Sequence, residues 1–340
     1  MTATAAKIAK TAKTAKGFDP KRIVKKYGIV IVLILMIAGL GMAEPAFLSA
    51  TNIFNVLTQS SIFGIMALGL TFVIISKGID LSVGSVLALS GVIAASLGQA
   101  ATATSKYFPN LGELPLVVPV AAALAVGALC GAVSGILIAK TRIPAFIATL
   151  GMMTVARGLA LIYSGGKPIS TLIPSLTVLG GKLFGVMPVP VIIYFLVIVA
   201  SAVLLNKKRF GKNVYAIGGN MTAAEVSGVD VSKNLILVYT YCGLLAGIAA
   251  IVFAARVGSV HPGAASGYEL TAIAATTIGG TSHSGGIGTI WGAFVGAMVL
   301  AVMRNGLTLL GVDAYWQQVV EGLIIVVAVI IDMRKNSKRD

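Results

Sequence analysis

The sequence predicts an all-α polytopic membrane protein with about ten transmembrane segments, some of them broken or half-spanning. Hydrophobic residues make up 57% of the 340 residues, charged residues make up 11%, and the mean hydropathy is +0.96. No soluble core could bury so much apolar surface. The apolar residues also gather in runs of roughly 17 to 25, the length that crosses a bilayer as a helix. We therefore predict one transmembrane domain at 27–333 between basic tails at 1–26 and 334–340.

The predicted full spans follow one another along the chain. They cover 27–43, 61–76, 81–97, 115–139, 144–163, 188–206, 235–255 and 315–331. The first resembles a cleaved signal peptide, but its removal would reverse the orientation of every later span. Asp80 or Ser82 is predicted to cap the helix that returns after the second span. This polar turn is also a candidate mouth of a translocation path.

A further pair of helices is predicted in the uncharged run at 270–303. Two full spans need about 40 residues and a turn, so this run is too short for both. It is interrupted by a glycine-rich stretch at 279–288. We predict a half-span that stops partway across the bilayer at this break, followed by a longer return helix, as in transporters that bind solute at broken helices. A simple hairpin, with glycines chosen for close packing, is the alternative.

Lysine and arginine are unevenly distributed between the two predicted sides of the membrane. One side contains both tails, a central polar loop at 206–233 and the turns at Lys77 and at 140–142, and it holds 20 of the 26 basic residues. Basic residues favour the cytoplasmic side, so both termini and the loop are predicted to be cytoplasmic. Since orientation accounts for the net charge of +15, we expect the lipid bilayer and no nucleic acid as a partner.

The polar loop at 206–233 is too long for a simple connection, which needs about four to six residues. Asn220 is predicted to cap a short helix at 221–226, and Gly228 is suited to end it. A helix this polar must lie outside the hydrocarbon. These features favour a docking surface, with a plain linker as the alternative.

The sequence lacks the motifs of an enzyme. It contains no GxxxxGK[ST] phosphate loop, no GxSxG elbow and no HExxH helix, and its two cysteines and two histidines lack metal-binding spacing. We therefore expect no catalytic residues and no metal or cofactor bound by this chain. The polar residues within the spans are mainly hydroxyls and amides, which suit a neutral, hydroxyl-rich solute. Glu321 is expected to form an ion pair with Arg304, Arg157 or Arg256.

Seven short segments between 45 and 332 form a recognisable set. They are GIDLSVGS (78–85), PAFIATLG (144–151), RFGKNVYAIGGN (209–220), AAEVSGVDV (223–231), YELTAIAATTIGGTSHSGGIGT (268–289), NGL (305–307) and YWQ (315–317). Together they resemble the membrane permeases of bacterial sugar ABC importers of the ribose and galactose type. The resemblance implies a type II-importer-like permease fold in the bacterial cytoplasmic (inner) membrane.

The resemblance also implies a function and partners. The chain would translocate a monosaccharide by alternating access, together with a second permease copy and an extracytoplasmic sugar-binding protein. A cytoplasmic ATP-binding subunit would bind and hydrolyse ATP with Mg²⁺. A stand-alone secondary carrier or channel for a small neutral solute is the main alternative, and a membrane-embedded enzyme is a third.

Two sets of site residues follow from these expectations. The residues expected to couple to the ATPase are Gly218, Gly219, Asn220, Thr222, Ala223, Ala224, Glu225 and Gly228. Candidates for the translocation path are Asp80, Ser82, Thr149, Thr276, Thr277 and Asn305. Importer permeases of this kind often carry glutamate where this chain has Thr222, so this chain departs from the family pattern at that position. Glu225, a helical neighbour three residues later, is the candidate to replace the missing carboxylate in a contact with the ATPase.

Overall fold

The computed structural model describes residues 20–336, which form helices joined by short connections. Residues 1–19 of the predicted tail at 1–26 lie outside the described residues, and so do residues 337–340 of the predicted C-terminal tail. The helices are α1 (Pro20–Ala43), α2 (Ala50–Ile75), α3 (Val83–Leu97), α4 (Val117–Thr141), α5 (Ala145–Ser164), α6 (Pro174–Thr177), α7 (Val189–Lys207), α8 (Arg209–Gly219), α9 (Met221–Val226), α10 (Val231–Val257), α11 (Tyr268–Ile278), α12 (Ile290–Leu309) and α13 (Ala314–Asn336). The strands are β1 (Ile169–Ser170), β2 (Lys182–Leu183), β3 (Met187–Pro188) and β4 (Ser259–Val260).

Seven helices within the described residues are long and apolar enough to cross a membrane: α2, α4, α5, α7, α10, α12 and α13. Two shorter apolar helices accompany them, Tyr27–Ala43 within α1 and Val83–Leu97. These helices confirm a polytopic helical membrane protein, while the count of about ten segments stays a prediction. The second span starts earlier than predicted, at Ala50, because the Ser49 hydroxyl accepts a hydrogen bond from the Asn52 amide and caps it.

The centre of the bundle is built on close contact between α4 and α10. A Cβ at Gly131 of α4 would overlap the Tyr239 carbonyl of α10, and a Cβ at Gly243 of α10 would overlap the Gly127 carbonyl of α4. Small residues let two membrane helices approach until their backbones touch. Because α2 packs against the same helix and is largely buried, α2 and α10 form the inner part of the bundle.

Two helical hairpins of the fold, α2–α3 and α10–α11, are interrupted by a non-helical segment, and we call them the two broken elements. α2 ends at Ile75, and a non-helical segment leads to α3; α10 ends at Val257, and a second non-helical segment leads to α11. With 15 and 11 residues, α3 and α11 rise by only about 22 Å and about 16 Å, less than the roughly 30 Å of a hydrocarbon core. The two helices start beside each other, since a Cβ at Gly84 would overlap both the Glu269 carboxylate and the Ala265 carbonyl.

The predicted half-span exists as α11, but the predicted place of its break is wrong. The glycine-rich stretch 279–288 lies at the end of the bundle that carries α8, because the Gly286 amide donates to the Ile75 carbonyl (2.8 Å) and the Tyr215 hydroxyl donates to the Gly288 carbonyl (2.6 Å). Gly279 packs against the Gly292 backbone, which closes α11 on α12. Gly279 therefore serves close packing, whereas Gly280, Gly285 and Gly286 adopt the positive φ angles of the turn, and the deep end of α11 is its start.

The opposite end of the bundle is closed by two small antiparallel sheets. β1 pairs with β4 through Ile169 and Val260, and β2 pairs with β3. Since α10 rises by about 40 Å between α9 and β4, these sheets and the α8–α9 segment lie on opposite faces of the membrane-spanning body.

Candidate coupling surface and translocation path

The α8–α9 segment begins with a helix that was not predicted from the sequence. α8 runs from Arg209 to Gly219, and its inner side carries Phe210, Val214 and Ile217. The Phe210 ring stacks on that of Phe72 with 5.9 Å between centroids. The spacing of these apolar residues by four and three is the helical signal that could have predicted α8, although the surrounding lysines and glycines obscured it.

α8 is fixed to the bundle through backbone contacts. A Cβ at Gly218 would overlap the Ile75 carbonyl at the end of α2 and crowd the Gly286 amide of the glycine-rich turn. A Cβ at Gly211 would overlap the Leu205 carbonyl at the end of α7. No side chain therefore separates the backbone of α8 from that of α2 and of the turn at 279–288.

α9 is the short capped helix that the sequence predicted. The Asn220 side-chain oxygen accepts a hydrogen bond from the Ala223 amide (2.9 Å), and Gly228 has a φ of +83°, which favours glycine. Ala224 is buried in a small cluster with Ile217 and Leu235. The cap, the stop and the inward-facing alanine therefore hold α9 on α8 and α10.

The residues expected to couple to the ATPase divide into two groups. Gly218 and Ala224 point into the protein, and the other six are exposed: Gly219, Asn220, Thr222, Ala223, Glu225 and Gly228. Two apolar side chains that the prediction did not include, Met221 and Val226, are also exposed, and Val226 is 86% exposed. α9 thus presents a small, partly apolar surface beyond the end of the bundle.

Three of the predicted path residues come together beside the start of α3. Asp80 is 1% exposed, and its Oδ1 accepts hydrogen bonds from the Ser82 amide (2.8 Å) and hydroxyl (2.6 Å). The Thr149 hydroxyl donates to the neighbouring Ile79 carbonyl at 3.3 Å. Ser82 occupies the predicted N-cap position of α3, but neither predicted side chain caps the helix, because Asp80 closes a local Asx turn and the Ser82 hydroxyl makes no capping bond.

The other three predicted path residues lie elsewhere, each with an internal partner. Thr276 and Thr277 of α11 donate to the Ile273 carbonyl, and Thr277 also bonds the His283 ring (2.8 Å). Asn305 of α12 exchanges two amide hydrogen bonds with Asn52 of α2, at 2.8 and 2.9 Å. The six residues therefore do not line one continuous surface of this chain.

An ion pair joins three helices near the end of α12. The Arg304 Nη2 donates to Glu321 of α13 (2.5 Å) and to the Thr271 hydroxyl of α11 (2.8 Å). The expected pairing of Glu321 with one of three arginines is confirmed for Arg304. Arg157 instead donates to backbone carbonyls of the segment before α11. Glu269 at the start of α11 is not among the residues predicted from the sequence, because the role of a lone carboxylate depends on its neighbours in the fold.

The glycine-rich turn is tied to the end of α13. Asp332 accepts hydrogen bonds from the Ser282 hydroxyl and the His283 amide, both at 3.1 Å. Burial lowers the pKa of the His283 imidazole below its usual 6.5, while the Asp332 carboxylate acts in the opposite direction. His283 is therefore held neutral near pH 7 in contact with Thr277.

Comparison with known proteins shows similarity over nearly the whole chain. The protein family described as branched-chain amino acid transport system / permease component matches residues 52–329. The ribose import permease protein RbsC of Escherichia coli K12 is 44% identical over 312 residues, which cover 90% of this chain and 93% of that protein. RbsC of Bacillus subtilis 168 is 40% identical and covers 93% of this chain and 95% of its own.

A third relative is named for a different sugar. The galactose/methyl galactoside import permease protein MglC of Haemophilus influenzae is 38% identical over 332 residues, covering 95% of this chain and 98% of that protein. No solved structure gives a significant match.

Proposed function

Since this chain belongs to the family of permease subunits of sugar ABC importers, we propose that it carries a monosaccharide such as ribose or galactose across the bacterial inner membrane by alternating access. The relatives named for ribose and for methyl galactoside cover the chain almost completely. A stand-alone carrier or channel is not favoured, because these relatives are import permeases. Ribose and galactose are both candidate substrates in this proposal.

The observation that carries the proposal is the construction of the α8–α9 segment. α9 presents exposed side chains, whereas α8 meets the ends of α2 and of the turn at 279–288 through backbone. We assign the exposed face of α9 to a groove of a separate ATP-binding subunit, which would bind ATP and Mg²⁺. Movement of that subunit would then pass through Gly218 to the two broken elements of the bundle.

The remaining assembly follows from the same assignment. The α8–α9 end and both termini would be cytoplasmic, as the basic residues favour. A second copy of this permease and an extracytoplasmic sugar-binding protein would complete the importer. In this arrangement α1, α3 and the half-span α11 accompany the seven longer helices, which gives about ten membrane segments in a type II-importer-like permease fold.

The predicted path residues enter this proposal in two groups. Asp80, Ser82 and Thr149 would lie beside the path at the start of α3, where they hold the non-helical segment in place. Thr276, Thr277 and Asn305 would act on the path through helix packing. The sugar needs no tight site in the permease, because the binding protein delivers it.

Uptake of ribose and of galactose into vesicles tests the proposal. The vesicles contain the permease with its ATP-binding subunit and are supplied with the sugar-binding protein and internal ATP. ATP-dependent uptake of either sugar is expected, and Val226→Glu should abolish it by placing a charge in the docked surface, whereas Val226→Ile should not. Sugar flux of the same rate without the ATP-binding subunit would instead establish a stand-alone carrier.

A further inference from the structure

The non-helical segment before α11 leads from the face that carries the small sheets towards the middle of the bundle, and part of it is exposed. It runs from β4 to Gly267, and α11 needs about 16 Å to bring the chain from there to the α8 end. His261, Gly263 and Ser266 are exposed along it. Non-helical backbone within a bilayer occurs only where protein covers it or where it lines a water-filled cavity. This face of the chain is therefore not a lipid-facing surface.

An arginine is anchored on this segment. Arg157 of α5 donates from Nη1 to the Pro262 carbonyl (2.6 Å) and to the Ala264 carbonyl (2.9 Å). Its other N–H groups make no hydrogen bond within the described part of the chain. A guanidinium has five donors in a rigid plane, so anchoring one nitrogen leaves donors in a fixed direction for a ligand.

A carboxylate lies beside the same segment at the start of α11, since a Cβ at Gly84 would meet both its Oε2 and the Ala265 carbonyl. Oε1 of Glu269 accepts a hydrogen bond from the Gly267 amide (3.2 Å), while Oε2 is buried and has no hydrogen-bond partner among the residues described. The carboxylate is attracted electrostatically to Arg157. Gly84 at the start of α3 leaves the space that this oxygen occupies. A buried carboxylate oxygen without a donor is costly, and within a membrane such groups mark solute paths.

We propose that Arg157 and Glu269 form a contact site for sugar hydroxyls where the two broken elements meet, halfway along the translocation path. The proposal rests on the proposed function. In this conformation Oε2 of Glu269 is enclosed against Gly84, so the pair is open to a solute only when the starts of α3 and α11 separate. A hydroxyl can then donate to this oxygen while another accepts from Arg157, so the pair suits a neutral polyhydroxyl solute. Opposite charges close together disfavour a free ion of either sign. Two contacts make the site weak, as passage requires.

Sugar uptake and ATP hydrolysis in the complete complex, measured together, test the site. Glu269→Gln and Arg157→Gln should each lower uptake of ribose or galactose by about 10-fold to 100-fold, the effect of losing one hydrogen bond to a charged group. Hydrolysis stimulated by the sugar-loaded binding protein should remain within about 2-fold, because α9 is untouched. Unchanged uptake, or a parallel loss of uptake and hydrolysis, would overturn the proposal. If the unaltered complex carries neither sugar, the proposed function fails instead.

Accessibility to water provides a second test that does not depend on transport. In protein with Cys130→Ala and Cys242→Ala, the variant Ser266→Cys should react with a water-soluble methanethiosulfonate, and either sugar should slow the reaction. Leu196→Cys on α7 is the matched control, since Leu196 is 61% exposed on a full-length apolar helix and should remain unreactive. Equal, slow labelling at both positions would show that protein or lipid covers the segment, and the proposal would then be wrong.

Discussion

Gly218 of α8 lies so close to Ile75 of α2 that one added carbon atom would overlap the Ile75 carbonyl oxygen. Gly218→Ala should therefore push α8 away from the bundle, at a cost of about 1–3 kcal/mol for overpacking. We expect ATP-dependent sugar uptake to fall and thermal unfolding to occur at a lower temperature. Both are measured on purified complex in detergent or vesicles.

Gly39→Ala is the matched control for this substitution. Gly39 lies in α1, is exposed, and has no atom within 4 Å of the Cβ that would be added. The same chemical change should leave uptake intact there. Equal effects at both glycines would show that the Gly218 contact does not connect α8 to α2.

The cap of α9 gives a second prediction. Asn220→Ala removes the acceptor for the Ala223 amide and should destabilise the short helix by about 1 kcal/mol, whereas Asn220→Asp keeps a capping oxygen. Sugar-stimulated ATP hydrolysis should fall with alanine and persist with aspartate. Identical behaviour of the two variants would mean that the helical order of α9 has no part in coupling.

The Arg304–Glu321 pair should be strongly coupled in stability. Arg304→Met leaves the largely buried Glu321 carboxylate without its partner, which typically costs about 3–5 kcal/mol. Adding Glu321→Leu to Arg304→Met should recover most of that loss, because two apolar groups then pack in place of two charges. Thermal unfolding of the two single variants and the double variant measures the coupling. Additive losses would contradict it.

The glycine-rich turn should loosen in mild acid. Burial lowers the pKa of His283 in the folded protein below its usual 6.5, so the unfolded chain binds the proton more readily. The stability that neutral His283 contributes is therefore present above about pH 6.5 and is lost as the pH falls through the folded-state pKa. Melting temperatures at about pH 7.5 and about pH 5.5 should differ more for the unaltered protein than for His283→Gln. An equal difference in both would exclude His283 as the titrating group.

The reciprocal Asn52–Asn305 amide pair gives a prediction that separates packing from solute contact. Asn305→Ala leaves the side-chain oxygen of the buried Asn52 without its donor, although the Asn52 Nδ2 keeps its bond to the Phe47 carbonyl, and should cost about 1–3 kcal/mol of stability. Replacing both residues by leucine should restore stability and uptake together if the pair only joins α2 to α12. Stable protein with lost uptake would support direct contact of Asn305 with the solute.

The spans and the α9 helix were predictable because each depends on local sequence. A long apolar run leaves a membrane helix as the main solution, and Asn220 and Gly228 act within a few residues of their position in the chain. The position of the break around α11 was not predictable in this way. Glycines can either interrupt a helix or permit close packing of two helices. The contact of Gly279 with Gly292 shows that close packing applies here, and this contact is visible only in the folded structure.

The predicted polar residues also divide into those that come together as expected and those whose partners are set by three-dimensional contacts. Thr149 and Asp80 come together because α5 packs on α3, but Asn305 pairs with a residue 253 positions away and so leaves that group. Glu269 and Arg157 carried no local motif. Their proximity arises from a chain reversal at β4, which no spacing in the sequence reveals.

The backbone contact between α4 and α10 restricts how this protein can change shape. Gly127, Gly131 and Gly243 leave no side chains that could slide or repack between the two helices, so we expect the pair to behave as one rigid body. We therefore expect alternation between inward-open and outward-open forms to use non-helical segments of the chain, above all those before α3 and α11. These segments act as hinges beside the rigid α4–α10 pair. Restraining them should trap the protein in one form without lowering its stability.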